Sequence, residues 1–163
     1  MDRLYAPWRS GYHMSKPSGC VFCDISSRPE NDRQNRVLYR DNACFVVMNL
    51  YPYTPGHFMI IPHAHTDALE ELDADVWLRA SVLARRGVRL LKERMGAQGV
   101  NMGMNLGIAG GAGVAQHIHL HLVPRWIGDA NFITTIAKAR VFGRDFDEIY
   151  ENMLDKAGEY FND

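Results

Sequence analysis

The clearest pattern along the chain is a helical repeat of apolar residues over segment 73–95. Asp73 is suited to cap the amino terminus of this helix, and Gly96 is suited to end it. A second repeat predicts an amphipathic helix from Asp145 to Tyr160. The apolar stripe of the first helix consists of Trp77, Ala80, Ala84, Val88, Leu91 and Met95. The inward-facing residues of the second are Phe146, Ile149, Met153, Ala157 and Tyr160.

Short apolar runs bounded by turn-forming residues predict the strands. "VLYRD" and "CFVVMN" flank a turn at Asp41–Asn42, and "FMIIP" is typical of a buried strand that ends at Pro62. "GVNMGMNLG", "QHIHLHLVP" and "NFITTIA" are also typical of strands. Short strands with hairpin-like links and two helices predict an α+β fold, in which an antiparallel sheet of about five strands has helices on one side.

Chain length, net charge and the distribution of apolar residues indicate the number of domains and the expected partners. The 163 residues indicate one domain, with an irregular arm over 1–36, a core over 37–136 and a helical segment over 137–163. A formal net charge of −1 gives no support for a nucleic-acid-binding or polybasic membrane protein. No apolar segment reaches the roughly 20 residues that span a bilayer, and the start lacks a signal-peptide core. We therefore expect a cytoplasmic protein with neither nucleic acid nor membrane as partner.

The candidate chemistry lies in "GVAQHIHLHLVPRW", residues 113–126. Because alternate side chains of a strand share a face, His117, His119 and His121 lie together and the apolar residues between them face the core. Three interpretations are open: an exposed strand face, a three-histidine metal site and a catalytic cluster lining a surface or cleft. The preceding "GIAGGAGVA" favours catalysis, because glycines let backbone amides approach an anion. The core-facing residues are Ile118, Leu120 and Leu122.

These residues resemble the histidine triad, or HIT, superfamily. Its signature is His-φ-His-φ-His-φ-φ, with φ apolar, and "HIHLHLV" at 117–123 matches every position. "NLYPYTPGH" looks like the ribose-side loop of the family, and "PRWIGDANFITTI" is similar to the branch containing bacterial diadenosine tetraphosphate phosphorylases. The resemblance implies a single HIT-like domain that attacks the α-phosphorus of a nucleotide and forms a nucleotidyl-histidine.

The resemblance also implies the roles of the histidines. It places the nucleophile at His119, whose imidazole is largely neutral near pH 7 because its reference pKa is about 6.5. One ring nitrogen attacks, and the other must be a donor held by a partner, which we expect to be a backbone carbonyl. His121 is expected to protonate or hydrogen-bond the leaving phosphate oxygen. His117 is expected to orient the site.

Nucleotide-binding residues follow from the same resemblance. Asn49 is expected at the ribose hydroxyls and Asn105 at the phosphates. Gln116 stands where some phosphorylase-like relatives have an acidic residue, which leaves the acceptor open between water and inorganic phosphate. The backbone amides expected at the phosphoryl oxygens are those of Gly111, Ala112, Gly113 and Val114.

The cysteines form a second candidate site. On its own, Cys20-x-x-Cys23 is as consistent with free thiols as with a metal site. The resemblance implies a structural zinc held by four side chains, in which case the first triad histidine is a ligand and the other two do the chemistry. His57 is expected to make a structural hydrogen bond, His63 to be exposed and Cys44 to lie in the core. The implied zinc ligands are Cys20, Cys23, His65 and His117.

The preferred function is a diadenosine tetraphosphate phosphorylase or hydrolase. Its expected partners are a purine nucleotide or dinucleoside polyphosphate and, for the phosphorylase, inorganic phosphate. An adenosine phosphoramidase uses the same nucleophile, and a purine-nucleotide sensor with little turnover keeps the same pocket, so both alternatives stay open. The resemblance further implies a homodimer in which two sheets join.

Overall fold

The computed structural model describes residues 19–136 and 143–162. The strands are β1 (Val37–Arg40), β2 (Cys44–Met48), β3 (Phe58–Pro62), β4 (Gly99–Gly103) and β5 (Leu120–Arg125). The α-helices are α1 (Val21–Ser27), α2 (Asp32–Asn35), α3 (Ala74–Met95), α4 (Phe132–Ile136) and α5 (Phe146–Phe161). Short 3-10 turns lie at Pro29–Asn31 and Leu69–Glu71.

The five strands form one antiparallel sheet in the order β1-β2-β3-β5-β4. The last of the described strands, β5, therefore lies between β3 and β4, where Met59 pairs with His121 and Phe58 pairs with Leu122. The predicted α+β class and five-stranded antiparallel sheet are confirmed.

Helix α3 begins and ends as predicted. The Asp73 side chain accepts hydrogen bonds from the amides of Asp75 and Val76, and Gly96 ends the helix with φ 64°. Trp77 was placed on the buried stripe, which is wrong, because its side chain is 38% exposed. The buried face is rotated towards Gly87, where an added Cβ would lie 2.7 Å from Cζ of Phe58. Gly87 has no side chain, so the recurrence of large apolar residues in the sequence does not reveal its close contact with Phe58. The buried residues of α3 are Ala80, Leu83, Ala84, Gly87, Leu90, Leu91 and Met95.

Helix α5 matches its prediction within one residue. Asp145 caps it by accepting from the amides of Asp147 and Glu148. Tyr160 is only partly buried, and its hydroxyl donates to Glu93 at 2.7 Å. The residues of α5 that are fully packed into the core are Ile149, Tyr150, Met153, Ala157 and Phe161.

Two local predictions are wrong. "NFITTIA" was predicted as a strand, but Phe132–Ile136 is helical. The amide of Asn131 donates to Oγ1 of Thr134 at 3.4 Å, so local side-chain bonding favours a helical turn over the β-branched composition. The arm 1–36 was predicted to be irregular. Residues 1–18 lie outside the described residues, whereas 19–36 contain α1 and α2.

The sheet separates two apolar clusters. Helices α3 and α5 cover one face, which holds the larger cluster, including Leu120 and Leu122. Helix α1 covers part of the other face, where Phe22 packs with Phe45 and Met59. Cys44 is fully buried, as expected. Among the described residues, no helix has both the length and the apolar character needed to cross a bilayer.

Candidate active site and metal centre

The three histidines lie on both sides of the first residue of β5, Leu120. β5 begins only at Leu120, so His117 and His119 precede its hydrogen-bonded ladder, and the amide of Ile118 donates instead to the carbonyl of Thr66 at 2.9 Å. Side chains in this segment nevertheless alternate between its two faces, because Ile118 and Leu120 are buried in the core as predicted. The histidines were expected to line a surface or cleft. That is wrong for His117 and His119, which are 0% and 5% exposed.

Helix α1 is the reason for this burial. The ring of Phe22 lies edge-on to His117 at a centroid distance of 5.6 Å and tilted against His119 at 5.1 Å. Because α1 begins in the part of the chain that was predicted to be irregular, the pattern of residues gave no sign of this cover. The helix therefore forms one wall of the cluster.

The ring of His119 has a fixed tautomer. Its Nδ1–H donates to the backbone carbonyl of His117 at 2.9 Å, so Nε2 carries the lone pair. This is the backbone-carbonyl partner expected for the nucleophile. Burial lowers the pKa of His119, which keeps the imidazole neutral and nucleophilic near pH 7.

His121 is oriented by a histidine outside the triad. The amide of Tyr53 donates to Nδ1 of His57 at 3.1 Å, so neutral His57 carries its proton on Nε2. That nitrogen lies 2.9 Å from Nδ1 of His121 and donates to it. His121 is then left with Nε2–H as its donor. Burial, and secondly the neighbouring His119, lower the pKa of His121 to about 4.

His57 is the residue whose importance the pattern understated. It makes a hydrogen bond, as expected, and the partner is the triad residue His121. His57 is fully buried, and the ring of Tyr53 stacks on it at a centroid distance of 4.8 Å. The sequence held one usable signal: His57 shares a strand face with Met59, and Met59 pairs with His121.

His117 points away from the other two rings, towards the cysteines. Its Nε2–H donates to the carbonyl of Pro62 at 2.9 Å, so the lone pair on Nδ1 faces Cys20 Sγ at 3.3 Å and His65 Nδ1 at 3.3 Å. Cys23 Sγ lies 3.1 Å from the same His65 nitrogen. Burial is the largest cause of the lowered pKa of His117.

This donor set fits zinc. The four ligand atoms of Cys20, Cys23, His65 and His117 lie within 4.8 Å of one another. Bonds of about 2.0–2.3 Å in a tetrahedron place ligand atoms about 3.5 Å apart, close to the separations in this cluster. Two sulfurs and two neutral imidazole nitrogens are a common zinc set. The structure thus brings together all four implied ligands.

A further contact, between Ser26 and His63, lies on the same face of α1 as the contact of Cys23. Ser26, one turn beyond Cys23, donates its hydroxyl to Nδ1 of His63 at 2.7 Å, and His63 Nε2–H donates to the carbonyl of Asp41 at 2.9 Å. His63 was expected to be exposed, but it is half-buried because this contact covers it. Helix α1 is therefore held against the chain segment after β3 at two positions, Cys23 and Ser26, while Cys20 just before it contacts His117.

The glycine-rich loop precedes the triad. Its chain folds back tightly, because a Cβ on Gly110 would lie 2.3 Å from the carbonyl oxygen of Leu106, and Gly111 has φ 87°. The amides of Gly111 and Ala112 donate within the loop, to the carbonyls of Ile108 and Gly107 respectively. Gly113 is exposed, Val114 packs against the cluster under α1, and Gln116 is exposed.

The two asparagines occupy different surroundings. Oδ1 of Asn49 accepts from the amide of Tyr51 at 2.9 Å, and its Nδ2 lies 3.4 Å from Nε2 of His57. Asn49 thus orders the loop that carries His57. Asn105 is half-buried between β4 and the glycine-rich loop.

Known proteins are similar to this chain in sequence. Residues 30–126 match the HIT domain family. AP-4-A phosphorylase of Mycobacterium tuberculosis (strain CDC 1551 / Oshkosh) is 34% identical over 149 residues, covering 86% of this chain and 76% of that protein. Adenylylsulfatase HINT3 of Arabidopsis thaliana is 30% identical over 106 residues, covering 65% of this chain and 52% of that protein.

A solved structure agrees in fold. The crystal structure of a zinc-bound histidine triad family protein from Mycobacterium smegmatis has a TM-score of 0.69 and 30% identity, covering 86% of this chain and 94% of that one. The resemblance drawn from the triad signature is confirmed by the extent of the family match and by the similarity to the mycobacterial phosphorylase. The chain belongs to the HIT domain family of nucleotide-processing enzymes.

Proposed function

We propose that the protein transfers a nucleotidyl group from a dinucleoside polyphosphate, with diadenosine tetraphosphate as the preferred substrate, through a nucleotidyl-His119 intermediate. The observation that carries the proposal is the hydrogen bond from His119 Nδ1–H to the carbonyl of His117, which leaves Nε2 for attack. The similarity to the mycobacterial AP-4-A phosphorylase supports the choice of substrate.

In the first step, the lone pair on His119 Nε2 forms an N–P bond with the α-phosphorus. The bond from that phosphorus to the leaving polyphosphate oxygen breaks. The imidazole becomes positively charged, and the carbonyl of His117 stabilises it through Nδ1–H. His121 donates its Nε2–H to the leaving oxygen. A hydrogen bond is sufficient there, because a terminal phosphate has a pKa of about 6 and is a stable anion near pH 7.

In the second step, an acceptor attacks the same phosphorus and His119 leaves. Water would yield AMP and ATP, and inorganic phosphate would yield ADP and ATP. His57 occupies Nδ1 of His121, so the ring presents an N–H and no lone pair to the acceptor. Phosphate needs no base because it arrives as an anion, whereas water does. We therefore propose phosphorolysis as the main route.

The remaining site residues are proposed in supporting roles. The amides of Gly113 and Val114 would bind phosphoryl oxygens together with the loop formed by Gly111 and Ala112. The other nucleotide-binding residues proposed are Asn49, Asn105 and Gln116.

The second element of the proposal is a structural zinc. Cys20, Cys23, His65 and His117 would hold it, and the zinc-bound mycobacterial structure supports this assignment. When bound, the ion would fix α1 against the segment after β3 and would leave the reaction to His119 and His121. A homodimer, formed along the edge strand β4 where Met102 is exposed, is proposed with it.

The decisive experiment is mass spectrometry of protein quenched during turnover of diadenosine tetraphosphate. We expect an AMP adduct on His119, and ADP with ATP as products when phosphate is present. His119→Asn should bind nucleotide, retain its melting temperature and form no adduct. Absence of an adduct on the unsubstituted protein contradicts the mechanism. Bound nucleotide without turnover on any substrate would instead identify a sensor.

A second function uses the same nucleophile. AMP linked to an amine or to sulfate presents the same α-phosphorus, and the similarity to the Arabidopsis adenylylsulfatase favours including both substrates. Comparison of kcat/KM for diadenosine tetraphosphate, adenosine phosphoramidate and adenosine phosphosulfate ranks them. A phosphoramidate turned over faster than the dinucleotide would replace phosphorylase with phosphoramidase.

A further inference from the structure

The two thiols of α1 flank the residue that packs on the nucleophile. Phe22, between Cys20 and Cys23, is 5% exposed, and its ring centroid lies 5.1 Å from that of His119. Any change that displaces this turn of α1 therefore also displaces a wall of the active site. The same turn contacts His117 through Cys20 Sγ at 3.3 Å.

The geometry of the thiol pair suits a disulfide. Both cysteines are free and half-buried, and their sulfurs lie within 4.8 Å of each other. Cys20 immediately precedes α1, and its carbonyl accepts from the amide of Asp24 at 3.1 Å, so the two cysteines span the first turn of the helix. Residues three apart in such a turn have Cα atoms about 5 Å apart, inside the range of 4.4–6.8 Å that disulfides require. The third cysteine offers an internal contrast, because Cys44 is fully buried and burial raises its pKa to about 12.

We propose that Cys20 and Cys23 form a reversible oxidation site, at which a peroxide converts the thiol pair to a disulfide and withdraws both sulfurs from His65 and His117. One sulfur takes an oxygen from the peroxide as the O–O bond breaks, and the first water leaves. The other sulfur displaces that oxygen, the S–S bond forms and the second water leaves. Two thiols lose two electrons and two protons in total, and one hydrogen peroxide is reduced to two waters.

Closing the S–S bond has two consequences at the neighbouring site. The cluster keeps only His65 and His117 as donors, so zinc loses half of its ligand set and dissociates. The turn carrying Phe22 also changes conformation, which alters the packing on His119 and the position of His117, whose carbonyl orients it. The oxidised protein is therefore slower in nucleotidyl transfer, a consequence that rests on the proposed function.

The test treats zinc-loaded protein with hydrogen peroxide and follows three quantities. Intact mass should fall by two hydrogens, zinc should be released to a chromogenic chelator at one ion per chain, and turnover of diadenosine tetraphosphate should fall about 10- to 100-fold. Dithiothreitol with added zinc should restore all three. Cys44→Ala should behave like the unsubstituted protein, because this residue lies in the opposite cluster. Cys20→Ser should form no intramolecular disulfide.

Each outcome decides a separate point. Thiols that stay titratable, or that pass directly to sulfinic acids, overturn the oxidation site. A disulfide that forms without loss of turnover overturns its link to the nucleophile. Reduced protein with no turnover contradicts the proposed function instead. The mass and zinc measurements then still decide the oxidation site, and the ¹⁵N resonances of His119 before and after oxidation decide whether its ring is disturbed.

Discussion

Nε2 of His57 lies 2.9 Å from Nδ1 of His121, and the amide of Tyr53 holds the opposite nitrogen of His57. A residue outside the triad signature therefore determines which nitrogen of His121 carries a proton. The direction of this hydrogen bond leaves His121 with Nε2–H, the donor that the proposed mechanism uses at the leaving group.

Removing this hydrogen bond should impair turnover. We expect His57→Phe to lower kcat about 100-fold, with little change in KM, because His121 loses its oriented N–H, and removing one preorganised hydrogen-bond donor at developing charge costs factors of about this size. His57→Gln, which retains an amide donor, should recover part of the loss. Steady-state kinetics on melting-temperature-matched protein makes the measurement.

The leaving group provides the control. AMP linked to an amine has a leaving nitrogen that needs more assistance than a phosphate oxygen, so His57→Phe should affect it more than diadenosine tetraphosphate. Equal losses on both substrates would show that His57 acts only through folding or through His119.

The activity should persist to unusually low pH. Burial lowers the pKa of His119, and it lowers that of His121 to about 4. A free imidazole with pKa about 6.5 would be about 90% protonated at pH 5.5, whereas we expect kcat/KM to fall by less than this between pH 7.5 and 5.5, because burial lowers the pKa of the nucleophile His119. A profile that declines with an apparent pKa near 6.5 would contradict the burial of the nucleophile.

The free energy of unfolding should decrease as the pH falls below 6.5. The pKa of His121 is about 4 in the folded protein against 6.5 for the free side chain, so the unfolded chain binds the proton more tightly. The resulting contribution is fully present above pH 6.5 and is lost as the pH falls towards 4. Urea denaturation should show this loss, and His121→Gln should show a smaller one over the same range.

Metal analysis should find one zinc per chain, and chelation should destabilise the protein. A ligand present at about 1,000 times its dissociation constant stabilises by about 4 kcal/mol, which corresponds to roughly 10 °C in melting temperature for a chain of this length. His65→Ala should abolish stoichiometric zinc, and Cys44→Ala should retain it. Protein purified with zinc but equally stable after chelation would argue against a structural ion.

The contact of α3 with the sheet gives a stability prediction. Gly87→Ala places a Cβ 2.7 Å from Cζ of the fully buried Phe58. Overpacking costs about 1–3 kcal/mol, against about 1 kcal/mol gained in helix propensity, so we expect net destabilisation of about 1 kcal/mol.

A second glycine is the matched control. Gly158→Ala in α5 meets only the Asn162 side-chain amide, at 3.2 Å, and should stabilise the protein by about 0.5–1 kcal/mol. Chemical denaturation of both variants makes the comparison, and an increase in stability on Gly87→Ala would show that the ring of Phe58 yields.

The features predicted correctly are those with a local cause. Periodicity found α3 and α5, and caps such as Asp73 marked where they begin. The features missed depend on distant parts of the chain: Cys20 contacts His117 across 97 positions, and no spacing reveals that α1 covers the triad. The zinc ligands emerged only through family resemblance. Gly87 misled the prediction of the buried face because its contribution is the absence of a side chain.

The strand order has a consequence for synthesis of the protein. β5 is made after the other four strands that the structure describes, yet it separates β3 from β4. Until the ribosome has released residues 120–125, the inner edges of β3 and β4 lack their common neighbour and remain available to pair with other chains. The segment proposed to carry the chemistry is thus also the one that joins β3 to β4, and a nascent chain stalled before it would be prone to aggregate.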